Sequence, residues 1–108
     1  MILTEATVAP RLYMLNANSL AKRQAVAHLA RDMFHYHADV AVISETHLTQ
    51  RHTDKNLAIS GYSLWRRDRV GRPGGGVAVY AARQVSLLLF GKGSRTIDLR
   101  LNSKDKDL

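Results

Sequence analysis

The sequence predicts an α/β fold. Three observations carry this expectation. A short apolar run, an amphipathic helical stretch and a β-branched run follow one another between residues 11 and 43. Further on, a glycine-rich turn joins two strand-like segments. Apolar residues make up 45 % of the 108 positions, an ordinary share for one small folded domain.

Each element has a local reason. Residues 1–10 show no period and end at Pro10, so they read as a lead-in. Arg11–Leu15 (RLYML) suits a short buried strand, although its period alone does not separate strand from helix. Asn16–Ser19 supplies turn and cap residues, with Asn18 or Ser19 placed to cap a helix. The spacing then predicts a helix over Leu20–Tyr36, because Val26, Leu29, Ala30 and Met33 fall on one helical face. Val40–Ile43 (VAVI) reads as a buried strand, parallel to the first through a crossover. Residues 46–58 are polar and predict a long loop. Tyr62–Arg67 alternates like a strand, Gly71 to Gly76 predict a turn, and Val77–Ala82 returns as the antiparallel partner. Val85–Phe90 (VSLLLF) is expected to be one more strand. From Gly91 onward charges crowd the sequence, so 1–90 is expected to be the domain and 91–108 a weakly structured charged tail. Met14 and Met33 are expected in the core.

Composition excludes several functions. With no cysteine there is no disulfide framework, thiol nucleophile or Cys-based metal centre. The longest apolar runs fall far short of the ~20 residues that span a bilayer, and the N-terminus lacks a signal-peptide pattern. No membrane partner and an intracellular location are expected. The formal net charge of +7 favours anionic partners such as nucleic acid.

The candidate chemistry sits at two strand ends. Asn16 and Asn18 close the first strand and Glu45 follows the second. Parallel neighbours would bring these ends to one edge, where α/β sheets gather ligands. A carboxylate with amide oxygens is a hard oxygen set suited to Mg²⁺, which can polarise a phosphoryl oxygen and help form hydroxide. The same residues also suit a plain turn and a loop start, and both readings stand at this point. Arg66, Arg67, Arg69 and Arg72 put four cations in seven residues. They suit either a DNA-phosphate surface or a solvated loop. Tyr62 and Trp65 interleave this stretch, to stack bases or to pack on the sheet. His47 stands two residues past Glu45, near the site or packed at the loop start. His28, His35, His37 and His52 have no zinc-ligand spacing. The glycine run lacks the Lys-Ser/Thr of a phosphate-binding loop and precedes a strand.

Three stretches resemble one known family. Tyr13–Leu20 (YMLNANSL) is similar to the opening motif of the endonuclease/exonuclease/phosphatase superfamily. Within it, the likeness is to the apurinic-type endonuclease of non-LTR retrotransposons. Asp39–Leu48 (DVAVISETHL) resembles the second motif, a strand ending in Glu-Thr-His-Leu. Gly61-Tyr62 and Arg66–Tyr80, with its triple glycine, resemble the next segment, so the likeness covers about residues 11–85.

The resemblance implies a two-sheet α/β sandwich with outer helices, of which this chain would hold the N-terminal half only. It implies Mg²⁺-dependent hydrolytic nicking of DNA, with Glu45 as metal ligand and Asn16 and Asn18 as catalytic-site residues. DNA is the implied partner, no small-molecule cofactor is implied, and a functional retroelement product would be nuclear. Two departures stand out. Ser19 replaces the family's glycine, which is tolerable if its φ is negative. The later Gly-Asp-x-Asn and Ser-Asp-His motifs are not in the sequence. The chain is therefore expected to be a fragment of a retroelement reading frame, inactive or very weak by itself. The competing expectations are a non-enzymatic basic nucleic-acid-binding fragment and a decayed relic.

Overall fold

A computed structural model describes residues 10–90. The expected lead-in over residues 1–9 and the expected charged tail over 91–108 lie outside the described residues. Within them stand four strands and three helices. In chain order these are β1 (Leu12–Asn16), α1 (Ala25–His35), β2 (Val40–Ser44), α2 (Asp54–Leu57), β3 (Tyr62–Arg67), β4 (Val77–Ala82) and α3 (Arg83–Phe90).

The strands form one mixed sheet of order β1-β2-β4-β3. The expected parallel pair is present, with Leu12 opposite Val40 and Asn16 opposite Ser44. β4 runs antiparallel to both β2 and β3, pairing Ala41 with Tyr80 and Leu64 with Tyr80 from its two sides. The β3–β4 hairpin expected around the glycine run is also present.

Alternation along the strands divides the apolar residues between two faces. On one face Ala41, Ile43, Ala78 and Tyr80 form the main core with Leu29 and Met33 of α1, Leu48, Leu57 and Ile59. Tyr80 is fully buried, and its hydroxyl donates to the Leu57 carbonyl at 2.7 Å. Burial pushes its pKa up to about 12, with lesser opposed effects of Arg66 and Asp54. On the other face Val40, Val79 and Ala81 gather Val42, Trp65 and Val85 of α3. There β1 is uncovered: Leu12 is 67 % and Met14 74 % exposed. Met33 is in the core as expected, but Met14 is not, because nothing among the described residues lies over that end of the sheet.

Three further expectations are corrected. Val85–Phe90 is helical, within α3, not a strand. Its apolar positions Val85, Leu88 and Leu89 fit an i, i+3, i+4 spacing as well as a strand run, and Arg83-Gln84 is no hairpin turn. The first helix starts at Ala25, not Leu20. Gln24 precedes it at φ 63 with no side-chain cap, and Asn18 and Ser19 belong to an irregular turn. Its far end closes as a Schellman motif. The N–H groups of His37 and Ala38 donate to the carbonyls of Phe34 and Met33, and His37 (φ 53) holds the left-handed position. The expected loop over 46–58 contains α2, started by Thr53, whose hydroxyl accepts from the Asn56 N–H.

Candidate functional site

The two parallel strands end at one edge, and their exits are stitched together. Ala17 N–H donates to the Ser44 carbonyl at 2.9 Å, Ser19 N–H to Glu45 at 2.8 Å and Leu20 N–H to Thr46 at 2.8 Å. From the other side the glycine strap approaches. Thr46 N–H donates to the Gly76 carbonyl at 3.3 Å, and His47 N–H to Gly75 at 2.8 Å. Asn16, Asn18, Glu45 and the strap are therefore neighbours through backbone bonds, as the parallel pairing anticipates.

This edge is strained. Among the described residues, six non-glycine residues have positive φ, and four are here: Asn18 (47°), Ser19 (96°), Glu45 (52°) and His47 (56°). Gly74, Gly75 and Gly76 are also left-handed. Such backbone costs about 1 kcal/mol or more at each non-glycine position and concentrates at functional sites. Local bonds offset part of it. The Asn16 carboxamide oxygen accepts from the Asn18 N–H at 3.2 Å, and Ser19 Oγ accepts from the Ala21 N–H at 3.1 Å. The negative φ that would have made serine harmless at position 19 is not found.

The left-handed turns at 45 and 47 set the side chains. His47 Nε2 lies 3.0 Å from Glu45 Oε1. A carboxylate only accepts, so Nε2 carries the hydrogen. The Glu45 side chain keeps 39 % of its exposure and His47 29 %. Between them Thr46 is fully buried, and its Oγ1 has no hydrogen-bond partner among the described residues. A Cβ at Gly76 would overlap that oxygen. The pattern of the sequence did not single out Thr46 and Gly76. Their signal is the Thr between two charged or polar neighbours and the last glycine before a buried strand.

The arginines divide. Arg66 is turned inward, with its side chain only 14 % exposed. It donates to Asp68 (2.7 and 3.2 Å), to Asp54 (2.9 Å), and to the carbonyls of Thr49 and His52. Its pKa is raised, chiefly by the Asp68 hydrogen bond. Counting cations along the chain missed these acidic partners. Arg67 and Arg72 are exposed. Arg69 is half-buried on the glycine strap, and its Nη1 donates to the Pro73 carbonyl at 3.4 Å. Tyr62 and Trp65 pack on the sheet, Tyr62 against the main core and Trp65 against the second cluster.

Among the described residues no group of three or more His, Cys, Asp or Glu side chains gathers to hold a metal. Glu45, a half-exposed carboxylate bonded to His47, is the residue at this edge that can hold Mg²⁺. That ion keeps several waters and is commonly held by one or two carboxylates together with substrate phosphates. Among the described residues no helix is long and apolar enough to cross a membrane. No protein-family model and no curated protein matches the chain.

Proposed function

We propose that the strained edge around Glu45 is the metal-binding part of an endonuclease/exonuclease/phosphatase-type site for hydrolytic nicking of DNA. The observation that carries this reading is that Asn16, Asn18 and Glu45 lie together at the carboxyl ends of β1 and β2, with Asn18 and Glu45 on left-handed backbone that ordinary loops avoid. Glu45 is the residue that would hold Mg²⁺. When bound, the ion would polarise a phosphoryl oxygen and acidify water. Asn16 and Asn18 orient the phosphate with their amides, and His47 fixes the carboxylate of Glu45 by its 3.0 Å hydrogen bond. On this reading the sheet is the N-terminal part of a two-sheet sandwich, and the face bearing Leu12 and Met14 is its inner face.

The sequence contains neither Gly-Asp-x-Asn nor Ser-Asp-His. Members of a cooperating catalytic set are strongly non-additive, so this chain alone is predicted to nick DNA weakly or not at all. A second reading is a non-enzymatic basic nucleic-acid-binding unit that uses the basic segment Arg66–Arg72, in which Arg67 and Arg72 are exposed.

Thermal unfolding followed by circular dichroism, with and without excess Mg²⁺, tests the metal reading. A ligand that binds only the folded state raises the midpoint by mass action. The midpoint is expected to rise with Mg²⁺ in the unaltered chain and not in Glu45→Gln. Equal midpoints in the unaltered chain would remove the metal from the proposal. Salt-sensitive DNA binding unaffected by Glu45→Gln would then leave the binding unit.

A further inference from the structure

We infer that the cavity between residues 20–27 and residues 51–57 binds a phosphate-type oxyanion, held by Lys22, Arg51 and His52. The inference is independent of the metal reading, because none of these residues takes part in it.

The cavity measures about 270 Å³. Leu20, Val26 and Leu57 give it apolar wall, and Lys22, Arg51 and His52 line it as well. These three have donors to spare. Among the described residues neither the Lys22 ammonium nor the Arg51 guanidinium has a hydrogen-bond or ion-pair partner. His52 is half-buried, and its Nδ1 accepts from the Thr49 N–H at 3.0 Å. In the neutral ring the hydrogen is therefore on Nε2, which has no partner among the described residues. The backbone of this segment is fixed, because Arg66 donates to the Thr49 and His52 carbonyls. No competing acid stands by. Residues 20–27 contain none, and Asp54, the acid of residues 51–57, accepts from Arg66 at 2.9 Å.

A cavity of this make-up selects by charge and by shape. Donors without an acid among them favour an anion, and apolar walls reduce the water that would screen it. A guanidinium fork, an ammonium and an imidazole N–H come from three separate residues. A tetrahedral oxyanion presents oxygens in several directions and can meet all three, whereas a carboxylate presents two oxygens in one plane. The cavity also adjoins the strained edge, since the Leu20 N–H in its wall donates to the Thr46 carbonyl. Phosphate chemistry has two sources here, a nucleic-acid backbone and free phosphate, and they are separable by experiment.

The test is a titration of the full chain with inorganic phosphate, in EDTA at constant ionic strength, followed by amide ¹H–¹⁵N chemical shifts. Saturable shifts are expected at residues 20–27 and 51–57. Lys22→Gln and Arg51→Gln, both at exposed positions, should each weaken binding about tenfold. Arg31→Gln removes an exposed cation of α1 that does not line the cavity, and should change binding by less than about twofold. Acetate, the planar comparator, should bind more weakly than phosphate. The unshifted amides of the sheet report that each variant is folded. A second titration, with a short DNA duplex, separates the sources. For a backbone phosphate the duplex shifts the same amides, and Lys22→Gln and Arg51→Gln each lower the salt slope by about 1. For free phosphate the two variants bind the duplex as the unaltered chain does, and lose inorganic phosphate only. Either result upholds the site. No saturation with phosphate, or acetate binding as tightly as phosphate, would overturn the inference. Equal losses in Arg31→Gln and Arg51→Gln would overturn it in favour of diffuse charge attraction.

Discussion

Ser19 illustrates how one backbone angle ranks substitutions. Its φ of 96° lies where glycine is at ease and a Cβ is not, while its Oγ accepts from the Ala21 N–H. Ser19→Ala keeps the strain and loses the bond, so it should destabilise by about 1 kcal/mol. Ser19→Gly loses the same bond but releases strain of about 1–2 kcal/mol, so it should be the more stable of the two in urea unfolding. Gly76 is the opposite case. An added Cβ meets Thr46 Oγ1 inside the core at φ 90°, and Gly76→Ala should cost at least about 2 kcal/mol from strain and overpacking together. Tyr80 ties stability to alkaline pH. Its pKa is raised in the folded state to about 12, so its contribution is full below pH 10, where both states are protonated. It is lost as pH rises from 10 to 12, where the unfolded chain ionises first. The loss is on the order of 2 kcal/mol by pH 12 and should shrink in Tyr80→Phe, as read from urea midpoints against pH. Asn16, Asn18 and Glu45 were legible in the sequence because apolar strand runs end just before them. The left-handed turn at Glu45 was not, since glutamate does not announce positive φ.

At the scale of elements, the 49–54 loop and the β3 end are held together by one side chain. Arg66 spends its donors on Asp54, Asp68, Thr49 and His52, linking the loop before α2 to the sheet. Arg66→Met should destabilise the chain by about 2–3 kcal/mol, because Asp68 and two carbonyls lose their donor in a largely buried place. Greater exchange of the α2 amides would accompany it. A nucleic-acid role for Arg66 predicts instead weaker DNA binding at unchanged stability. The sheet was legible because period-two alternation, a glycine turn and a β-branched run all agree with one another. Two helices resisted the same reasoning. α3 is a short apolar run that fits either period, so only its packing of Val85 on the second cluster decides. α2 is one turn of polar residues, whose formation depends on the Thr53 cap and the burial of Leu57.

For the whole molecule, the two faces of the sheet differ in cover. One is buried under α1 and the 48–59 segment, while no described residue covers Leu12 and Met14 on the other. Apolar patches of this kind bind dyes and promote association. The double variant Leu12→Thr, Met14→Thr should lower the fluorescence of an added hydrophobic dye and shift the unfolding free energy by less than about 0.5 kcal/mol per site. The sequence pattern marked both residues as apolar, but could not report how much chain would lie over them. The strand order β1-β2-β4-β3 also constrains time. Among the described residues the last strand in the chain is an inner one, because β4 lies between β2 and β3. A ribosome therefore releases β3 before the strand that joins it to the β1–β2 pair, and the four-stranded sheet is not continuous until residue 82 clears the exit tunnel. Acquisition of protease resistance during synthesis should come in one late step rather than strand by strand.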